Sequence, residues 1–229
     1  MLSNSHIKKI RSLHSKKFRK QHGQFIVEGE KVVAELLNSD FSVVSVYSTM
    51  PMDSAELITQ KELEKISVLK SPNKIVAIAE TQSFDSVHGT SAILLDGVND
   101  PGNLGAIIRI ADWFGVSQLI CSFNVADCYN PKVVQSAMGS LFRVKVVYTD
   151  LIEYVSASKI PTYCAVMDGE SPSAAQGPFN LILGSESHGI RSELLDLSQH
   201  KITIPGKGET ESLNVSVAAG ILLDRLVYR

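Results

Sequence analysis

Three separated polar corners carry the chemistry open to this chain. The first holds Asn103 and Arg109, in LDGVNDPGNLGAIIRIADWFGV, residues 95–116. A strand ending at Asp96 runs into a turn-rich loop, and a helix is expected to begin near Asn103. Ile107, Ile110, Ala111 and Phe114 form its apolar stripe, and Gly115 fits the position just past the helix end. Arg109 falls off that stripe. Gly105, one turn earlier on the same face, is expected to leave space above the helix start. The second corner is Glu186, in LILGSESHGI, residues 181–190. There a buried strand runs into Gly184, and a carboxylate in the turn suits the positive N-terminus of the next helix. The third is Ser212 with Asn214, between a loop loosened by Gly206 and Gly208 and a helix apolar almost all round. Such a pair can hold a ligand at the edge of solvent. Either residue can equally serve as a helix cap.

Several chemistries are excluded. No G-x-x-x-x-G-K-[ST] occurs, which argues against a P-loop ATPase. A nucleophile elbow needs Ser two residues after Gly184, and that residue is Glu186. Ser187 and His188 are chain neighbours, which is not triad geometry. The G-x-x-G at Gly102–Gly105 is too short a pattern to mark a KH loop. Cys121, Cys128 and Cys164 have no C-x-x-C spacing, so they read as free thiols in a reducing, cytoplasmic setting, with no metal site.

These corners must be positioned by the elements around them. From Ala92 onward, apolar strands alternate with helices. Strands are expected at Ile93–Leu95, Leu119–Cys121, Val144–Val147, Tyr163–Val166, Leu181–Leu183 and Ile202–Ile204. Helices are expected near Leu104–Phe114, Pro131–Met138, Leu151–Ala157, Arg191–Leu197 and Val215–Tyr228. The rhythm predicts an α/β fold, a mostly parallel sheet with helices on both faces. Ligands of such sheets sit beyond the carboxyl ends of the strands, and all three corners follow strands there.

The stretch before Ala92 reads as a separate small α/β unit, residues 1–80, joined by a polar linker at 81–91. It opens with a helix over Ser5–Leu13 that Ser5 could cap. A basic loop, Ser15–Gly23, follows, with Phe18 inside it. Strands are expected at Phe25–Val27, Phe41–Tyr47 and Ile75–Ala79, and helices at Glu30–Leu37, Ala55–Ile58 and Lys61–Ile66. Residues 92–229 form the larger unit.

The net charge of −2 conceals an asymmetry. Residues 1–24 hold seven Lys or Arg and no acid, while the rest carries 15 basic and 24 acidic residues, a balance of −9. A basic arm on an acidic body points to a polyanion contacted from one end. Lys16, Lys17, Arg19 and Lys20 are the expected RNA contacts, and Phe18 among them could stack on a base. No apolar run approaches a membrane span.

Three motifs together are specific. N-x-G-x-x-x-R (Asn103, Gly105, Arg109), L-G-S-E-x-x-G (Leu183–Gly189) and I-P-x-x-x-x-x-S-L-N-V-S (Ile204–Ser216) resemble, in order and spacing, the motifs of the SpoU or TrmH family. These are ribose 2′-O-methyltransferases of the SPOUT superfamily. The basic N-terminal unit is similar to the RNA substrate-binding domain often fused ahead of this catalytic domain, which itself resembles small ribosomal proteins.

The resemblance implies S-adenosylmethionine as cofactor, a C-terminal trefoil knot and a homodimer. By motif position it implies Asn103, Arg109, Glu186, Ser212 and Asn214 as catalytic residues. Leu183, Gly184, Ser185, Ile204, Gly208, Ser212 and Leu213 would contact the cofactor. The substrate would be RNA, ribosomal RNA before transfer RNA. The alternatives are a tRNA 2′-O-methyltransferase, or a catalytically silent RNA-binding protein on the same fold. Neither DNA nor a membrane is expected as partner. A nucleotide-using metabolic enzyme is disfavoured, since no G-x-G-x-x-G follows a strand.

Overall fold

The computed structural model describes residues 2–228, so Met1 and Arg229, the outer ends of the two expected units, lie outside the described residues. Helix α1 (Asn4–Ser12) is capped by Ser3, whose hydroxyl accepts from the His6 amide at 3.2 Å, while Ser5 lies inside the helix. The basic stretch expected as a loop is helix α2 (Lys16–His22), closed by Gly23 at φ +61°. Its long unbranched side chains lose little rotamer freedom in a helix, and only glycine enters the left-handed region at no cost.

The unit continues through β1 (Gln24–Glu28), α3 (Glu30–Leu37), β2 (Val43–Ser48), β3 (Glu56–Leu57), α4 (Gln60–Ile66) and β4 (Ile75–Glu80). The sheet runs β1-β4-β2-β3. A helix was expected at Ala55–Ile58. Instead Glu56 and Leu57 pair in parallel with Tyr47 and Ser48, and the Ile58 amide donates to the Ser48 carbonyl at 2.8 Å. Backbone pairing at the sheet edge outweighs a four-residue helical pattern, which is too short to propagate.

The larger unit holds β5 (Ala92–Asp96), α5 (Pro101–Trp113), β6 (Gln118–Cys121), α6 (Pro131–Ala137), β7 (Lys145–Tyr148) and α7 (Leu151–Ala157). It then runs through β8 (Thr162–Glu170), β9 (Asn180–Gly184), α8 (Ser192–Leu197), β10 (His200–Ile202) and α9 (Val215–Tyr228). The strand order is β10-β8-β9-β5-β6-β7, every pair parallel. Side chains alternate across the sheet. Ile93 and Leu95 face the core under α5, α6 and α9, and Leu94 and Ile182 face the core under α7 and α8. β10 stops two residues before the expected Ile204, which leaves Ile204 in the loop. No helix among the described residues is long and apolar enough to cross a membrane.

The two units share one core. Phe25 of β1 lies 4.5 Å, ring to ring, from Tyr129, and Phe41 lies 5.3 Å from Phe142. The segment expected as a linker is pinned as well. The Gln82 amide donates to the Tyr129 hydroxyl, which in turn donates to the Gln82 carbonyl, each at 2.9 Å.

Arg19 was expected to face RNA and does not. It is 3% exposed, and its guanidinium donates to Asp127 across the boundary at 2.7 and 3.1 Å. It also donates to the Leu13 and His14 carbonyls at 2.9 Å each. The helical turn of α2 carries Lys16, Lys17 and Lys20 outward and Arg19 inward. A buried guanidinium is tolerated because carboxylate and carbonyls together satisfy it.

Candidate active site

The cleft lies over the carboxyl ends of β8, β9 and β10, where the loops at 184–191 and 203–214 approach each other. Its cavity is about 830 Å³, within the range of small-molecule sites, about 300–1,000 Å³. Leu183, Gly184, Ser185, Ile204, Gly208, Ser212 and Leu213 all line it, together with Glu186 and, from α9, Val215 and Leu222. The walls are largely apolar; the polar groups are backbone and short side chains.

Two glycines shape the first loop. A Cβ on Gly184 would fall 2.2 Å from the Gly189 carbonyl carbon, so only glycine permits the chain to double back there. Gly189 itself sits at φ +66°. Ser185 and Gly189 exchange backbone hydrogen bonds at 3.2 and 2.9 Å, closing the loop. Asp96, buried at the end of β5, then accepts from the Arg191 amide and from Arg191 Nε, both at 2.9 Å. This clamp on the loop's far end was not foreseen. A lone Asp at a strand end carries no signal of what it will meet 95 residues later.

The three polar corners converge through one amide. Asp100 caps α5, accepting from the Asn103 amide at 2.8 Å, so the helix starts before Asn103 and places it in the first turn. Pro101 marks that start, since proline favours the first helical position. Asn103 Nδ2 donates to Glu186 Oε1 at 2.5 Å. Asn214 Nδ2 donates to Asn103 Oδ1 at 2.9 Å. Asn214 Oδ1 accepts from the Ser216 amide at 2.9 Å and from its hydroxyl at 2.6 Å, so Asn214 caps α9 as well. Capping and site-building are both real for this residue, because its amide has two ends.

Arg109 and Ser212 stand outside this network. Arg109 is exposed on α5 and makes no hydrogen bond or ion pair among the described residues, and Ser212 is exposed at the cavity. Gly105 does not leave open space. A Cβ there would fall 2.4 Å from Ser136 Cβ and 2.7 Å from the Val133 carbonyl, so the glycine admits α6 against α5. Lys16, Lys17 and Lys20 are exposed on α2 and form no ion pair among the described residues, and Phe18 stacks on His22 with ring centroids 6.3 Å apart. Helices α5 and α9 also offer large apolar side chains to solvent: Trp113 is 82% exposed, Val217 50% and Tyr228 67%.

Two family models match the chain. Residues 4–77 match the MRM3-like substrate binding domain. Residues 90–224 match the SpoU rRNA Methylase family. The 23S rRNA (guanosine(2553)-2′-O)-methyltransferase RlmP of Bacillus subtilis is 31% identical, covering 97% of this chain and 96% of its own. A TrmH-family structure from Porphyromonas gingivalis superposes with a TM-score of 0.88 at 34% identity, covering 99% of this chain and 98% of its own. An AdoMet-bound rRNA methyltransferase from Sinorhizobium meliloti superposes with a TM-score of 0.87 at 28% identity, covering 98% and 95%. With both units matched, and the methylase match spanning the residues that build the cleft, the chain belongs to the SpoU rRNA Methylase family.

Proposed function

We propose that this chain transfers a methyl group from S-adenosylmethionine to a ribose 2′-hydroxyl of ribosomal RNA. The observation that carries the reading is the hydrogen-bonded series Ser216–Asn214–Asn103–Glu186 at the lip of the cavity. It joins three distant segments into one polar edge beside an apolar chamber.

The cavity suits the cofactor. Ile204 and Leu213 can flank an adenine, and the backbone of Leu183–Ser185 and Gly206–Gly208 can meet its polar edge and the methionine tail. Bound there, S-adenosylmethionine supplies a sulfonium methyl for in-line attack. The remaining work is positioning, and alignment lowers barriers by on the order of 7–11 kcal/mol in ideal cases. Arg109 suits the phosphate beside the reacting sugar, because its fork meets two oxygens at once. A guanidinium stays charged in proteins, so Arg109 would also stabilise the negative charge that develops on the 2′-oxygen as its proton passes to solvent water. Asn103 and Ser212 orient the sugar, and Glu186 and Asn214 brace Asn103.

The exposed lysines of α2, with Phe18, hold the RNA, while Arg19 anchors the unit that carries them. Ribosomal RNA is favoured over transfer RNA because a relative whose name specifies 23S rRNA aligns over 97% of this chain. The exposed side chains of Trp113, Val217 and Tyr228 form a pairing surface for a second copy, since exposed apolar patches mark interfaces. A C-terminal trefoil knot belongs to the same reading, supported by the family match over residues 90–224. The three buried thiols fit a cytoplasmic enzyme.

Calorimetric titration with S-adenosylmethionine tests the cofactor assignment: saturable heat is expected, reduced by Leu213→Arg, and no heat from folded protein contradicts it. Sedimentation should give twice the chain mass; a monomer at micromolar concentration contradicts the pairing surface.

A further inference from the structure

A second, smaller hollow lies beyond the carboxyl ends of β6 and β7. Its volume is about 230 Å³, and Ser122, Phe123, Asn124, Thr149, Asp150 and Arg191 line it. That is too small for a dinucleotide or a cofactor and of the order of one nucleobase. It rests on the methyltransferase reading above, and extends it to the choice of target.

Its lining is built. Phe123 is 72% exposed, an aromatic face offered to solvent. Buried Ser122 donates its one hydroxyl proton to Asn124 Oδ1 at 2.5 Å, and the same oxygen lies 3.2 Å from the Leu95 carbonyl. Asn124 is therefore held by Oδ1, and its Nδ2 has no hydrogen-bond partner among the described residues. Arg191 is fixed by Asp96 through its backbone amide and Nε, leaving both terminal nitrogens without a hydrogen-bond partner among the described residues. Asp150 uses Oδ1 to cap α7, accepting from Ile152 at 2.8 Å, and Oδ2 has no partner among the described residues. The hollow thus offers one stacking face, cationic and amide donors, and one carboxylate acceptor.

Its position matters as much as its chemistry. Gly97, at φ +77°, lies close to both Asn124 of the hollow and Ser185 of the main cavity. A Cβ on Gly97 would lie 3.1 Å from Asn124 Nδ2 and 3.7 Å from Ser185 Cβ. Ser185 lines the main cavity and precedes Glu186, the partner of Asn103. The hollow is therefore one residue's width from the polar edge assigned to the ribose.

We propose that this hollow receives the base of the target nucleotide. The base stacks on Phe123, as unpaired bases stack on aromatic side chains in single-stranded RNA recognition. Arg191 and Asn124 donate to a base carbonyl, and Asp150 accepts from an adjacent ring N–H. Guanine and uracil present a carbonyl beside a ring N–H; adenine and unprotonated cytosine do not. The hollow selects the first pair.

The test uses the full-length protein and ribosomal RNA from cells lacking its gene. Methyl transfer from labelled S-adenosylmethionine is measured for wild type, Phe123→Ala and Phe123→Tyr, with cofactor affinity measured in parallel. Phe123→Ala should lower kcat/KM for RNA about tenfold or more, Phe123→Tyr should restore most of it, and cofactor affinity should stay within about twofold of wild type. The modified nucleotide should map to guanosine or uridine. Unchanged kcat/KM in Phe123→Ala overturns the stacking role. A parallel loss of cofactor affinity overturns it too, by making the residue structural. A target of adenosine or cytidine overturns the edge assignment. Failure of wild type to transfer or to bind the cofactor refutes the methyltransferase reading, and the hollow's role falls with it.

Discussion

The side-chain amide of Asn214 donates to the Asn103 carbonyl oxygen at 2.9 Å, although 111 residues separate them. The first turn of α5 and the cap of α9 are thereby locked to each other at the cleft. Asn103 spends its other end on Glu186. One amide thus ties three loops, and its replacement should disorganise the site without unfolding the protein.

Asn103→Ala is expected to lower methyl transfer by about 100-fold, the scale of a displacement of about 1 Å at a reacting centre. Because the residue is half-exposed, the stability change should stay near 1 kcal/mol. Asn103→Asp should be worse for activity, since it sets a carboxylate against Glu186. Turnover and thermal denaturation of the two variants check this; near-normal turnover in either would remove Asn103 from the site.

Arg109→Lys separates fork geometry from charge. The lysine keeps one positive charge but cannot bridge two phosphate oxygens. Turnover should fall at least tenfold, while cofactor affinity and stability stay unchanged, because Arg109 is exposed and bonded to nothing among the described residues. Near-normal turnover would show that a point charge suffices.

The basic helix α2 divides into two kinds of residue. Lys16→Ala, Lys17→Ala and Lys20→Ala together should weaken RNA binding and make the slope of log affinity against log salt shallower by about two. Cofactor binding should not change. Arg19→Ala should act differently: it strands Asp127, which is 17% exposed, and two carbonyls. A loss of about 3 kcal/mol in unfolding free energy is expected. If Arg19→Ala left stability intact and removed RNA binding alone, its placement at the unit boundary would be wrong.

Much of this was legible in the sequence, and the failures share a cause. The parallel sheet was readable because Ile93–Leu95, Leu119–Cys121 and Leu181–Leu183 are apolar on both faces. The residues that line the cleft, Gly184 and Ser212 among them, were named from the order and spacing of three motifs, because a loop between a strand and a helix shows no periodicity of its own. Arg19 was misplaced because a lone charge in a basic run gives no sign of which way a helix will turn it. Gly105 was misread because an open face and a tight helix crossing both ask for glycine. The partners of Asp96 and Asp127 lie about 100 residues away, and no local pattern encodes such a pairing.

Acid should loosen the N-terminal unit first. The Glu62 carboxyl is pulled down to about 2 by the Thr59 amide, then by the Thr59 hydroxyl and by the Leu2 amide. An unfolded glutamate titrates near 4.3. A depressed carboxylate contributes its full stability above the unfolded value and loses it as pH falls toward the folded one. Melting temperature should therefore drop between about pH 4.3 and pH 2, and Glu62→Gln should show a shallower drop across that window. Parallel curves for the two proteins would contradict the assignment.

The central claim is that the polar edge built by Asn103, Glu186 and Asn214 presents a ribose hydroxyl to a sulfonium methyl. It is tested most directly by incubating the protein with labelled S-adenosylmethionine and ribosomal RNA lacking the modification, then digesting the RNA to nucleosides. The label should appear in one 2′-O-methylnucleoside and vanish with Arg109→Ala. Label on a base, or none from protein that binds the cofactor, would contradict the account.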